Sequence, residues 1–352
     1  MSAFEPAAIA AALEALLDTL DDGAVRDLAW LLFSPPLLRE QPPLGQLATP
    51  FESVDEAAAV ESWLFALDRN AEPLRQAMAA ARLTRLGRYA ECLLAYFLEH
   101  GPAPRLIAAN VALRRAGRTL GECDFLVESA SGRRLHWELA VKCYLLAGGG
   151  PRVSLADFVG PNLQDRFDLK LAHLLGHQLP LSAREEFVSL GHVGPWEAQM
   201  FVKGWLFYRW DEEAPDDPAP PVPDNVDPHH AHGFWVTRGQ WPRFAAQWMR
   251  RLKAQYGSGD IWAVLPRLAW LAPRRLRAGS GGTEVEAAGL TNAQTLAERL
   301  AQQSGPTMIA ALAPDRRDGR ASHWRECARG FVVPDDWPER ARAFAGGDYH
   351  QR

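Results

Sequence analysis

The stretch GECDFLVESASGRRLHWELAVK, residues 121–142, decides how this chain is read. GECDFL alternates as a strand does, with Glu122, Asp124 and Leu126 on one face and Cys123, Phe125 and Val127 on the other. SASGRR has the Ser, Gly and charge of a hairpin loop. In the second strand, LHWELAVKCYLL, the apolar set Leu135, Trp137, Leu139, Val141 and Cys143 is expected to be buried. His136, Glu138, Ala140, Lys142 and Tyr144 fall opposite. Pairing the two strands brings Asp124, Glu138 and Lys142 to one side of a sheet.

Those residue types carry a chemistry. Two carboxylates bind a hard dication through oxygen, and a nearby ammonium holds or polarises a hydroxide or phosphate. Asp124 and Glu138, with Glu122 beside them, are candidate ligands for Mg2+ or Mn2+, and Lys142 is the candidate catalytic cation. That is the minimum for metal-assisted phosphodiester hydrolysis. Acids and lysines on a strand face are also the ordinary look of a solvated sheet, and for any one residue that is the simpler reading.

Upstream lie GRYAECLLAYFLEH, a helix bearing Glu91, and LIAANVALRR, a strand bearing Asn110. Helix acid, strand Asn and Gly121-Glu122-x-Asp124, in that order, resemble the start of the PD-(D/E)XK nuclease superfamily. The resemblance covers residues 83 to about 164 and implies a restriction-endonuclease-like mixed α/β sheet core. It also implies Asp124 and Glu138 as metal ligands, with Glu91 as an auxiliary acid. One spacing departs from that pattern. The superfamily sets acid and lysine two residues apart, whereas Glu138 and Lys142 are four apart, ~13 Å along an extended strand, with Ala140 in the lysine's place. Either the strand bulges or the lysine has moved, and Lys170 in the next helix is the alternative. A helix at that point flanks the site in the superfamily, which makes Gln164 a further substrate-facing candidate. HWELAVKCYLL followed by VGPNLQDRFDLKLAHLLGHQLPLS also resembles a bacterial family, domain of unknown function 1853, over most of the chain.

Composition narrows the function classes. A chain of 352 residues, 47% hydrophobic and 23% charged, has an ordinary globular balance. No apolar run is long enough to span a bilayer, and the acidic start lacks a basic leader, so a cytoplasmic protein with no membrane partner is expected. The four cysteines form no CxxC pair, and three fall on apolar faces, as free buried thiols do. A net charge of −5 counts against nonspecific nucleic-acid binding. Acid is concentrated in DEEAPDDPAPPVPDNVD, 211–227, while arginines recur near the hairpin, at Arg114, Arg115, Arg118, Arg133, Arg134, Arg152 and Arg166. The Gly-rich stretch before Pro151 lacks the Lys-Ser/Thr ending of a P-loop. His173 and His177 are four apart but lack a third ligand. Most of the 13 tryptophans lie in alternating apolar patterns, which favours core packing over base stacking.

The chain divides, on this reading, into four parts. A helical region covers 1–80, with helices broken at Pro35 and Pro73, and the nuclease-like core covers 81–210. An acidic Pro-rich loop covers 211–231, and a C-terminal α/β extension over 232–352 packs on the core. One helix is expected from Asn162 through the leucines that follow, and another from an N-cap at Thr291. The expected activity is metal-dependent cleavage of DNA or RNA. The alternatives are a catalytically silent nuclease-like scaffold that binds a protein or nucleic acid, and a site for a small phosphorylated ligand.

Overall fold

Caps and prolines set the helices of the first hundred residues. In the computed structural model, which describes residues 6–148, 152–211, 222–257, 261–277, 289–315 and 323–347, α1 covers Pro6–Thr19 and α2 covers Gly23–Phe33. The Asp22 side chain caps α2 by accepting from the backbone N–H groups of Ala24 and Val25, and Pro35 and Pro36 follow its end. Ser53 caps α3, Val54–Arg69, and α4 is Glu72–Ala80. Pro73 was expected to break this pair. It lies instead in the first turn of α4, where a missing N–H costs nothing, and the break falls at Asn70. Helix α5, Leu86–His100, buries Leu86, Leu93, Leu94, Phe97 and Leu98 as its periodicity demands. It also buries Tyr89, whose hydroxyl donates to Asp27 Oδ2 at 2.9 Å.

The fold is mixed α/β, and its packing falls into two units. One comprises residues 1–142, 168–204 and 224–231, the other 143–167, 205–223 and 232–352. In the first unit, β1 (Gln46–Leu47), β2 (Arg105–Arg115), β3 (Arg118–Glu128) and the leading part of β4 (Arg134–Leu146) join the leading part of β6 (Glu197–Arg209). The order is β2-β3-β4-β6, with β1 parallel to β6. The β3–β4 hairpin is antiparallel, as its sequence predicts.

Two local expectations fail here for stated reasons. The helix expected from Asn162 begins only at Phe167: α6 is Phe167–His173, then a π-turn covers Leu174–Gln178 and a 3-10 turn covers Leu179–Ala183. Pro180 has no N–H to continue the ladder, and Leu179 N–H instead reaches back to Leu174 O across a wider turn. A short α7, Glu185–Ser189, leads to β6. Of the acidic stretch 211–227, residues 212–221 lie outside the described residues. Its last part is not a free excursion, because Val226 is buried and bridged to Leu38, and Arg39 N–H donates to Asn225 O at 2.9 Å.

The second unit holds β5 (Phe158–Val159), β7 (Ala231–Thr237), β8 (Trp262–Val264), β9 (Arg275–Arg277), β10 (Thr307–Pro314) and β11 (His323–Val333). β7 and β11 are parallel, β11 and β10 antiparallel, and β8 closes on β10. Helices α8 (Trp241–Tyr256), α9 (Ala293–Ala301) and α10 (Trp337–Ala345) complete it. The N-cap of α9 is Asn292, not Thr291: Asn292 accepts from Thr295 N–H, while Thr291 is buried in a bridge with Trp262. Phe244, Trp241, Trp262 and Leu252 belong to its apolar core, in line with the packing role expected of the tryptophans.

One glycine fixes how closely β6 approaches β4. Gly204 has φ +144°, and a Cβ there would lie 1.7 Å from the Lys142 carbonyl oxygen. Gly204→Ala should therefore destabilise the protein by at least ~3 kcal/mol in urea denaturation, since backbone must move to admit the methyl. Gly117→Ala, at φ +77° but in open space, should cost only ~1 kcal/mol.

Candidate functional site

The β3–β4 ladder runs from Glu128↔Arg134 to Phe125↔Trp137 and ends there. Beyond that rung, side chains replace the backbone pairs. Asp124 Oδ2 accepts from Leu139 N–H at 2.9 Å, and Asp124 N–H points at Glu138 Oε1 across 3.4 Å. Each strand's freed amide is thus met by a carboxylate from the other strand. On the outer side of β3, the register of β2 slips between Leu106 and Ala108, and Asn110 takes φ +53°.

The pleat of β3 also changes phase here. Cys123 and Leu126 pack in one cluster with Leu113, Leu181 and Phe187, although residues three apart on a regular strand point to opposite faces. The expected division of Cys123 from Leu126 therefore fails, beside the β2 position where Asn110 takes a positive φ.

Strand β4 is buried on both sides, so its polar face is not solvated. His136 and Glu138 are each 0% exposed. Glu138 Oε1 meets His136 Nε2 at 2.7 Å, and Gln178 Nε2 donates to Glu138 Oε2. His136 Nδ1 lies 3.0 Å from Ser182 Oγ, and Lys170 Nζ donates to Gln178 Oε1 at 2.8 Å. A continuous chain thus runs Lys170–Gln178–Glu138–His136–Ser182. The π-turn and the 3-10 turn after it supply Gln178 and Ser182.

Charge is crowded at this fork, the place beyond Phe125↔Trp137 where β3 and β4 part and Asp124 and Glu138 reach across. Burial first, and then Glu138 and Glu91, push the Asp124 carboxyl up to about 8, against the opposing pull of the Leu139 N–H and Lys170. Burial likewise raises the Glu91 carboxyl. Arg88, its ion-pair partner at 2.5 Å, pulls it down, while Glu122 and Glu138 push it up. Arg88 and Glu91, three residues apart on α5, thus pair within the helix, yet Glu91 also feels the charge of Glu122 and Glu138.

The candidate residues separate as follows. Asp124 and Glu138 come together, and Glu91 and Lys170 act on Asp124 through charge. Glu122 is exposed and acts through charge on Glu91 and Cys123. Lys142 lies on β4 four residues past Glu138, and Lys170 rather than Lys142 is the cation among the main influences on Asp124. Gln164 is exposed in the bend before α6, within the second unit, and not on a helix. His173 and His177 stack with centroids 5.0 Å apart; burial first, then Lys170 and His177, hold His173 below the usual imidazole range, while Glu138 opposes. His136, Gln178, Ser182 and Cys123 were not foreseen as site residues. The available signals were His136 and Glu138 two apart on one strand, and Pro180 beside Gln178.

A family model described as domain of unknown function (DUF1853) matches residues 26–333. The chain belongs to that family. Every residue of the fork in this DUF1853 chain lies within the matched span. No curated protein and no solved structure matches the chain. Among the described residues no helix is long and apolar enough to cross a membrane.

The raised Asp124 carboxyl makes a pH prediction. The folded chain holds a proton there to about 8, whereas an unfolded aspartate releases it near ~4. Between those values the folded state binds more protons, so this group's contribution to stability is full at low pH and falls as pH rises, levelling above about 8. Metal-free Asp124→Asn should show a flatter decline in melting temperature from pH 5 to 9 than the parent protein, with the largest gain at the alkaline end.

Proposed function

We propose that the fork is the centre of a metal-dependent nuclease that hydrolyses phosphodiester bonds of DNA or RNA in the cytoplasm, on a restriction-endonuclease-like sheet. The observation that carries this reading is the Asp124 carboxyl, pushed to about 8 by burial beside Glu138 and Glu91. Acids crowded in this way are relieved by a dication more than by any protein group in contact with Asp124. Their oxygens are hard donors suited to Mg2+ or Mn2+. Asp124 and Glu138 would hold the ion, with Glu91 as supporting acid and Glu122 at the exposed rim. When bound, a dication polarises the phosphate and lowers the pKa of water.

The chain's own groups divide the remaining work. Lys170, tethered by Gln178, favours ionised Asp124 and is the cation best suited to hold a phosphate oxygen. Gln178 fixes the orientation of the Glu138 carboxylate while positioning that ammonium. Lys142, the candidate from strand spacing, has the weaker claim.

A second reading, a silent scaffold that binds a protein or nucleic acid, draws on one feature. Both Glu138 oxygens already meet protein partners, which a resting ligand need not do. The net charge of −5, which opposes a nucleic-acid substrate, favours a protein partner for such a scaffold.

Cleavage separates the two readings. Purified protein should cut DNA or RNA with Mg2+ or Mn2+, and not with EDTA. Asp124→Asn should abolish cutting, since a neutral amide is a poor partner for a hard dication. Lys170→Ala should lower turnover roughly 100-fold, and Lys142→Ala far less. Full activity in Asp124→Asn would reject the mechanism. Absence of cleavage together with absence of Mg2+ or Mn2+ binding would favour the scaffold.

A further inference from the structure

We propose that Cys123, His136 and Glu138 form a site for one thiophilic divalent cation, zinc foremost, which braces β3 to β4 beyond the end of their ladder. All three residues are buried, and one donor atom from each lies within 4.8 Å of the others. Cys123 comes from β3, and His136 and Glu138 from β4. The two strands have no backbone pair past Phe125↔Trp137, so an ion bound here supplies the cross-link that the ladder lacks.

The donor chemistry fits a soft or borderline metal. Thiolate, imidazole and carboxylate are the usual zinc donors, at about 2.0–2.3 Å from the ion. The shared His136–Glu138 proton already sits on the line that an ion would take, across a gap of 2.7 Å. A tetrahedral ion needs its nitrogen and oxygen donors roughly 3.3 Å apart, so this gap must widen modestly while the sulfur closes in. Ser182 Oγ sits at His136 Nδ1 and can accept its proton, the outer contact that orients a metal-bound imidazole.

The proton balance is simple. Zn2+ displaces the Cys123 thiol proton to solvent. A His136 ring that binds through Nε2 carries its proton on Nδ1, donating to Ser182, and the thiol accounts for one proton released per ion. Burial, then Glu138, Asp124 and Glu122, keep the Cys123 thiol protonated without metal. Affinity should therefore rise about tenfold per pH unit near neutrality. Asp124 is not a donor, so this site does not rest on the nuclease reading, although Glu138 is common to both.

The full-length chain, stripped with chelator under reducing conditions, tests the site with Zn2+ and Co2+. One ion per chain should bind. Co2+ should give a thiolate-to-cobalt charge-transfer band with intense tetrahedral visible bands, and Zn2+ should raise the melting temperature. Cys123→Ser should remove the charge-transfer band and weaken zinc at least ~100-fold, whereas Asp124→Asn keeps the band. Should Cys123→Ser fail to fold, the triple variant Cys92→Ser, Cys143→Ala, Cys327→Ala leaves Cys123 as the sole thiol and should retain the band. Stoichiometric Co2+ without that band, unchanged zinc affinity in Cys123→Ser, loss of the band in a folded triple variant, or no stoichiometric binding would overturn the proposal. Mg2+-dependent cleavage reports on the nuclease reading alone, so the two ideas fail separately.

Discussion

The carboxylate of Glu138 is sealed from water, and the first unit is organised around satisfying it. Burying an ionised carboxylate costs several kcal/mol unless hydrogen bonds compensate for lost hydration. Here one oxygen faces an imidazole and the other an amide, each held in turn by a further residue. Removing Gln178 or His136 leaves a buried acid short of a partner, which costs more than the bond itself contributes. The irregular turn after α6, set by Pro180, serves the same contact: the π-turn ends at Gln178, and the 3-10 turn after it carries Ser182.

The open ladder is the second consequence. β3 and β4 separate after Phe125↔Trp137, and the freed amides turn to Asp124 and Glu138 instead of to opposing carbonyls. Asp124 thereby combines two tasks that conflict at neutral pH. Its oxygen secures Leu139, and its charge is resisted by Glu138 and Glu91.

Elsewhere buried cations donate to main-chain carbonyls. In the first unit Lys203 donates to Ser34 O at the end of α2, and Arg26 donates to Leu20 O at 3.1 Å. Burial lowers the Lys203 ammonium to about 7, against the opposing pull of Asp227. In the second unit Arg329 pairs with Glu326, donates to the carbonyls of Trp270, Leu271 and Ala272, and lies 4.4 Å from the Trp205 ring centroid. Planar, multi-donor guanidinium is suited to gathering several carbonyls at once.

The sequence by itself determined the α5 helix, the β3–β4 hairpin and the nearness of Asp124 to Glu138. Each follows from a local rule: apolar spacing of 3.6 or 2, turn residues between strands, or two partners on one short hairpin. It did not determine that Glu138 and His136 are buried, because alternation reports which residues share a face, and not whether another element covers it. Nor did it determine that Cys123 and Leu126 share one packed cluster, because that depends on elements distant in sequence. Gln178 and Ser182 reach the hairpin from some forty residues away. Such contacts have no sequence period, because they depend on how the chain closes after Pro180. Tertiary structure alone decided them.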